Sequence, residues 1–252
     1  MKKINLREIM KRDKALYLAY DQGLEHGPEG DFDDENINPL NIINIANKAG
    51  FNALIVQKGI AEKYNKEIKN SKVPLIIKLN GKTRLYKGEP ISAMICDVLE
   101  ARALGACAVG FTIYLGSEFE EEMIEEFSKI EKEAHKFGLP VMLWAYPRGK
   151  SVKGKSKREL MAYAARAGLE LGADIVKIAW NGNIEDLKWA VRSAGRCKVV
   201  IAGGVKENEK EFLKDAKEIM NSGAIGLAIG RNIWQSKNSV ELAGKVKKIV
   251  FG

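Results

Sequence analysis

Gly172-Ala-Asp-Ile-Val-Lys-Ile-Ala-Trp180 contains the unit from which this chain is built: a helix ends at a glycine, and an apolar strand follows at once. Glycine just past a helix end takes the left-handed conformation that stops a helix at little steric cost. The same unit recurs at Gly50 before Asn52–Val56, at Gly105 before Ala106–Gly110 and at Gly138 before Pro140–Trp144. It returns at Gly195 before Lys198–Ile201 and at Gly223 before Ala224–Ile229. Strands this continuously apolar are buried on both faces, as the strands of a parallel sheet are.

Two further apolar runs, Ala15–Tyr20 and Pro74–Leu79, bring the strands to eight. Helical patterns predict helices over 91–104, 118–137, 158–171, 184–194, 208–222 and 238–249. Strict β/α alternation repeated eight times points to an α/β protein built as a closed (β/α)8 TIM barrel. The length of 252 residues matches that fold. Periodicity does not show closure, so a doubly wound sheet stays open at this point. No Pro/Ser-rich linker or break in composition divides the chain, and one domain over 1–252 is expected.

Hydrophobic residues make up 46% of the chain, which excludes a disordered protein. No apolar run reaches the ~18–20 residues that span a bilayer, so no membrane association is expected. The start, Met-Lys-Lys-Ile-Asn-Leu-Arg, is basic but has no apolar stretch before a cleavage site. A cytoplasmic protein without a signal peptide is expected. Cys96, Cys107 and Cys197 are scattered and odd in number, so neither a disulfide framework nor a zinc ribbon is suggested. With only His26 and His135, a histidine-rich metal site is impossible; carboxylate ligands stay open, and no metal or other cofactor is expected. The net charge of +8 favours polyanions. The 33 acids interleaved with the 41 lysines and arginines favour phosphorylated metabolites over nucleic acid.

In a barrel the active site lies at the carboxyl ends of the strands. Here those ends are polar: Asp21-Gln-Gly-Leu-Glu-His-Gly-Pro28, Gln57-Lys-Gly59, Trp144-Ala-Tyr-Pro-Arg-Gly149, Lys177, Ala202-Gly-Gly204 and Gly230-Arg-Asn232. Burial in an apolar run disfavours the ammonium form of Lys177 and lowers its pKa. A neutral amine attacks carbonyls, the first step of Schiff-base chemistry. The competing reading is an end-of-strand lysine that snorkels to solvent. Tyr146 favours the first reading, because it ends the neighbouring strand about 5 Å away. A phenol beside an amine can move protons through carbinolamine and imine steps. Trp144 shares parity with Tyr146 and so faces the same side, as pocket wall or core. Asp21 can accept a proton or orient the lysine, or it is an Asx-turn residue. His26 contacts substrate or is a plain hydrogen-bonding loop residue. The loops after strands 7 and 8 bind phosphate in many barrels. Glycines let backbone N–H groups approach a phosphate, and Arg231 can bind it bidentately.

Gly149-Lys-Ser-Val-Lys-Gly154-Lys155-Ser156 also fits the P-loop pattern, after a strand and before a helix. A P-loop NTPase is therefore an alternative. Against it, no downstream strand ends in the aspartate that holds Mg²⁺. With six cations and no acid over 148–158, the segment is otherwise a mobile loop or a clamp for a second phosphate.

Taken together, Ala19–Pro28, Trp144–Gly149, Asp174–Ile178, Ala202–Gly204 and Gly230–Trp234 resemble the archaeal-type class I fructose-bisphosphate aldolases. The similarity runs nearly the whole length of the chain. It implies Lys177 as the Schiff-base lysine, Tyr146 as proton donor, and Asp21 and Trp144 shaping the site. Gln22 and His26 join the expected substrate-binding set. Ala202, Gly203, Gly204, Gly230 and Arg231 would hold the ketose 1-phosphate, and Arg148 the far phosphate. The family also uses a carboxylate soon after the lysine strand, for which Glu185 and Asp186 are the candidates. The resemblance further implies a homo-oligomer, with decameric rings as one form. The implied reaction is reversible cleavage of fructose 1,6-bisphosphate to dihydroxyacetone phosphate and glyceraldehyde 3-phosphate, a lyase step of glycolysis and gluconeogenesis. A 2-amino-3,7-dideoxy-D-threo-hept-6-ulosonate synthase-like transaldolase is the related alternative. The long first-strand motif, Asp21-Gln-Gly-Leu-Glu-His-Gly27, favours the bisphosphate aldolase.

Overall fold

A computed structural model describes residues 3–252; Met1 and Lys2 of the basic N-terminal stretch lie outside the described residues. Eight parallel strands run in chain order: β1 (Ala15–Ala19), β2 (Ala53–Gln57), β3 (Leu75–Lys78), β4 (Ala106–Leu115), β5 (Val141–Pro147), β6 (Ile175–Ala179), β7 (Lys198–Ala202) and β8 (Gly226–Ile229). β1 pairs with both β2 and β8, in register Tyr17 to Ala53 and Leu16 to Leu227, so the sheet closes on itself. Closure removes the doubly wound alternative. The six glycines that mark the repeating unit all take positive φ, from 57° at Gly195 to 93° at Gly105 and Gly223, so each stops its segment as the pattern requires.

Helices Glu120–Phe137, Lys157–Glu170, Ile184–Ser193, Glu209–Asn221 and Ser239–Phe251 lie within two residues of their expected positions. The helix expected over 91–104 is shorter, at Val98–Ala103. Asp97 accepts from the Glu100 N–H while Glu100 reaches back to the Asp97 N–H, and this capping box fixes the start. The residues before it make an antiparallel pair, Ala93–Met94 with Asn80–Gly81, that extends β3 beyond the barrel rim. Among the described residues no helix is long and apolar enough to cross a membrane.

Parity divides every strand between two cores. On β6, Val176 faces the helix layer, so close to Gly168 that a Cβ there would meet its side chain at 2.6 Å. Ile175 therefore faces the barrel axis, where it packs with Tyr17, Ile55, Ile76, Met142, Trp144 and Val200. One pleat period further, Lys177 points up the same axis. The same count carries Asp21 up from Tyr17 and Ala19, Lys78 from Ile76, and Tyr146 from Met142 and Trp144. Trp144 fits because β4 carries Gly110 beneath it: a Cβ at Gly110 would meet the indole at 1.8 Å. His135 is spent outside the barrel, bonded to Glu131 at 2.7 Å and Asp174 at 2.9 Å.

Candidate active site

At the carboxyl end of the barrel the inward-facing positions enclose a cavity of about 330 Å³. Lys177, Tyr146, Trp144 and Asp21 line it, as do Gln22, His26 and Arg148. Ala202, Gly203 and Gly204 complete the lining from the ends of β7 and β8, with Gly230 and Arg231. Twelve of the residues singled out in the sequence as catalytic or substrate-binding therefore meet in one space. A second cavity of about 270 Å³, beside Leu160 and Tyr163 of helix Lys157–Glu170, holds no buried nucleophile.

Lys177 is 5% exposed, and its Nζ lies 4.9 Å from the centre of the Trp144 ring, its register partner on β5. Burial lowers its pKa; Asp21 opposes that shift, Lys78 adds to it, and Glu25 opposes it again. The net shift is downward, toward the neutral amine. Tyr146 is pushed the other way: burial raises its pKa well above the usual phenol value, and Asp21 and Glu25 raise it further against Arg148. At neutral pH it is a phenol, a proton donor. Arg148 lies over both the Tyr146 ring, at 5.3 Å, and the Tyr114 ring, at 5.5 Å.

Lys78 and Glu25 belong to this cluster and escaped the sequence reading as functional residues. Lys78, 2% exposed, donates to Glu25 Oε1 at 2.5 Å and lies 3.7 Å from Asp21 Oδ2. Its signal was present: Lys78 closes an apolar strand by the same parity that places Lys177. Glu25 stands on the short helix Gly23–His26 that follows Asp21. The candidates after the lysine strand do not join the cavity lining. Glu185 bonds Lys188 at 2.7 Å, and Asp186 accepts from Asn181 at 2.9 Å, 3.8 Å from Arg158. The carboxylates at the cavity are instead Asp21 and Glu25, because the segment after β1 folds back over the barrel mouth.

The glycine wall is shaped by close approach. A Cβ on Gly230 would meet Gln22 Nε2 at 2.4 Å and Ala19 O at 2.9 Å. One on Gly203 would meet Ile229 Cα at 3.1 Å. Gly204 takes φ 67° with open space around it, a conformation costly for any other residue. Arg231 is held by Asp31 Oδ1 at 3.1 Å and Gly204 O at 3.2 Å, while Asp31 Oδ2 meets His26 Nδ1 at 2.5 Å. Burial acts to raise the pKa of Asp31, but the His26 hydrogen bond and Arg231 outweigh it and the net shift is downward.

The P-loop reading is overturned. The segment after Arg148 forms a short 3-10 turn, Lys150–Val152, instead of an open phosphate cradle. The Lys150 N–H donates to the Glu89 carboxylate at 3.2 Å, and Glu159 lies 3.6 Å from Lys155. Carboxylates thus meet the backbone and the lysine that a nucleotide phosphate would need.

The chain matches the DeoC/LacD family of aldolases over residues 15–236. It is 46% identical over 249 residues to the class 1 fructose-bisphosphate aldolase of Thermoproteus tenax, covering 98% of this chain and 93% of that one. It superposes on a Schiff-base-forming fructose-1,6-bisphosphate aldolase, solved through its reaction intermediates, with a TM-score of 0.92, 46% identity and 98% of each chain covered. It superposes equally on an archaeal fructose-1,6-bisphosphate aldolase whose catalytic lysine is bound to the carbinolamine intermediate (TM-score 0.93, 45% identity, 98% of each chain). The closed barrel, the buried lysine at its mouth and these full-length matches agree, and the chain belongs to the DeoC/LacD aldolases and, within them, to the class 1 fructose-bisphosphate aldolases.

Proposed function

We propose that this protein reversibly cleaves fructose 1,6-bisphosphate through a Schiff base on Lys177, giving dihydroxyacetone phosphate and glyceraldehyde 3-phosphate. The observation that carries the assignment is the Lys177 amine, buried against Trp144 with its pKa lowered, at the base of a cavity walled on one side by glycine loops and Arg231.

The neutral amine attacks the C2 ketone and forms a carbinolamine. Tyr146 gives its phenolic proton to the C2 hydroxyl, which leaves as water, and the nitrogen becomes a protonated imine. The phenolate, costly in this buried place, then lies beside the new cation, which offsets its charge. As the C3–C4 bond breaks, its electron pair flows into the imine and makes an enamine. The C4 hydroxyl proton passes to the Tyr146 phenolate, and the aldehyde leaves. Tyr146 returns that proton to C3, and water hydrolyses the imine to free the ketose phosphate and Lys177. Each proton is accounted for by one phenol whose raised pKa makes it a donor at rest. Asp21, with the Lys78–Glu25 pair behind it, orients the amine and the substrate hydroxyls.

The ketose 1-phosphate lies against the loops after β7 and β8, where Gly203, Gly204 and Gly230 leave the backbone bare and Arg231 supplies a guanidinium. Arg148 meets the far phosphate from its place above Tyr114 and Tyr146.

Borohydride trapping with dihydroxyacetone phosphate, followed by intact mass and peptide mapping, tests the assignment. One reduced adduct on Lys177 is expected. Absence of an adduct, or an adduct on another lysine, overturns it.

A further inference from the structure

We infer that Asn232, which does not line the cavity, is the positioning residue that presents the phosphate-binding backbone after β7. The inference rests on the reading that the loops after β7 and β8 hold the ketose phosphate.

Asn232 is 2% exposed and sits directly after Arg231 on the short helix Arg231–Trp234. Its amide is bonded entirely to the loop after β7. Nδ2 donates to Gly203 O at 2.7 Å and to Val205 O at 2.8 Å, and Oδ1 accepts from Glu207 N at 2.9 Å. A buried amide that makes three bonds to one loop fixes the orientation of that loop's peptides. In a planar trans peptide the N–H points opposite to the C=O. With the Gly203 and Val205 carbonyls turned toward Asn232, the N–H groups of Gly204 and Lys206 are turned away from it. Among the described residues neither N–H has a backbone acceptor. Gly204 lines the cavity, and its positive φ lets the chain reverse between the two clasped carbonyls. The clasp therefore determines which way the loop's donors face.

The same short helix sets the other half of the site. Trp234 Nε1 donates to Ala19 O at 3.1 Å, which ties the helix to β1. Arg231 leaves that helix toward the cavity, and Asn232 leaves it toward the loop. Consecutive residues of one anchored turn thus couple guanidinium and backbone donors, so that both meet the same phosphate. Aspartate at 232 has the same shape, but it sets an oxygen against the Gly203 and Val205 carbonyls and removes the clasp.

The test compares half-saturation of borohydride trapping on Lys177 by dihydroxyacetone phosphate and by dihydroxyacetone, in the full-length protein. In the wild type the phosphorylated ketone is expected to saturate at far lower concentration. Asn232→Asp is expected to cut that preference about tenfold or more, the loss of one or two charge-assisted hydrogen bonds. Half-saturation by dihydroxyacetone should move less than twofold, a split that general loosening of the barrel cannot produce. Asn232→Ala, with thermal melting as a check on folding, gives the same readout should the aspartate variant fail to fold. A wild type without preference for the phosphorylated ketone removes the phosphate-site reading and this inference with it. A normal wild-type preference that survives both substitutions within twofold overturns the role of Asn232 alone.

Discussion

The two walls of the cavity are made of different materials. On the side of β1, β3, β5 and β6 the inward positions carry Asp21, Lys78, Tyr146 and Lys177, polar groups of which three are almost wholly buried. On the side of β7 and β8 they carry Ala202, Ala228, Gly203 and Gly230, with little side chain at all. Burial acts on the first wall through charge: taking an amine out of water favours its neutral form, and taking a phenol out of water keeps its proton on. The second wall acts through backbone, because small residues let N–H groups and a phosphate approach closely. The proposed function assigns the two walls different work, kcat to the charged wall and affinity for the phosphate to the bare one.

The largest break in that comparison is Lys177→Met. Turnover should fall by at least about 10⁴-fold, since the covalent path is closed, and borohydride should trap nothing. The melting temperature should not fall. The folded-state pKa of Lys177 lies below its unfolded value, so the unfolded chain binds more protons and this lysine lowers stability at neutral pH. An apolar chain of similar length removes that cost. Tyr146→Phe stays on the same wall with a smaller loss, about 10²–10³-fold in kcat. Borohydride trapping of dihydroxyacetone phosphate should slow as well, because the phenol supplies the proton that turns the carbinolamine into the reducible imine, while the intact amine should keep half-saturation of trapping within about twofold. Trapping at the wild-type rate would remove Tyr146 from the dehydration step, and a shift in half-saturation instead of rate would assign it to binding.

Arg231→Met moves to the bare wall. It should raise KM for fructose 1,6-bisphosphate about 10–30-fold, the weight of a charged hydrogen-bond pair, with kcat within about twofold. The effect is moderated because Arg231 already bonds Asp31 at 3.1 Å before substrate arrives, so phosphate exchanges one anion for another. Steady-state kinetics over a range of substrate concentrations checks the split. A fall in kcat with KM unchanged would show that the walls do not divide the labour in this way.

Much of this was legible in the sequence because barrels are periodic. Glycine stops followed by apolar runs gave the strands, and pleat parity gave the side each residue faces. Twelve of the residues singled out, by strand-end position or by the family resemblance, came together at one cavity. The sequence reading failed where contacts are not periodic. The segment after β1 leaves the strand pattern and folds over the mouth, so the partnership of Glu25 with Lys78, 53 positions later, has no local signature. Glu185 and Asp186 were close to Lys177 along the chain, but Glu185 bonds Lys188 within its own helix and Asp186 bonds Asn181 in the loop before it, beside Arg158 of the preceding helix. The helix expected from residue 91 started late because Asp97 and Glu100 form a capping box, which periodicity does not weigh. Asn232 was quoted as part of a loop, yet nothing in its neighbours along the chain reveals that it clasps Gly203 and Val205.

Lys78 offers the finest test of the charged wall, because it acts on Lys177 without reacting. Its ammonium disfavours a second positive charge nearby and helps to lower the pKa of Lys177, while Asp21 and Glu25 pull the other way. Lys78→Met removes the lowering influence and leaves both carboxylates without their cation, so the two consequences add. The pKa of Lys177 should rise, and the ascending limb of kcat/KM against pH should move to higher pH. Activity at pH 7 should fall about tenfold, as a pKa change of about one unit would give, and recover in part as the pH is raised. That recovery separates an electrostatic role from a packing one. A buried lysine that only filled space or held Glu25 in place would, on removal, lower the whole profile without moving its limb.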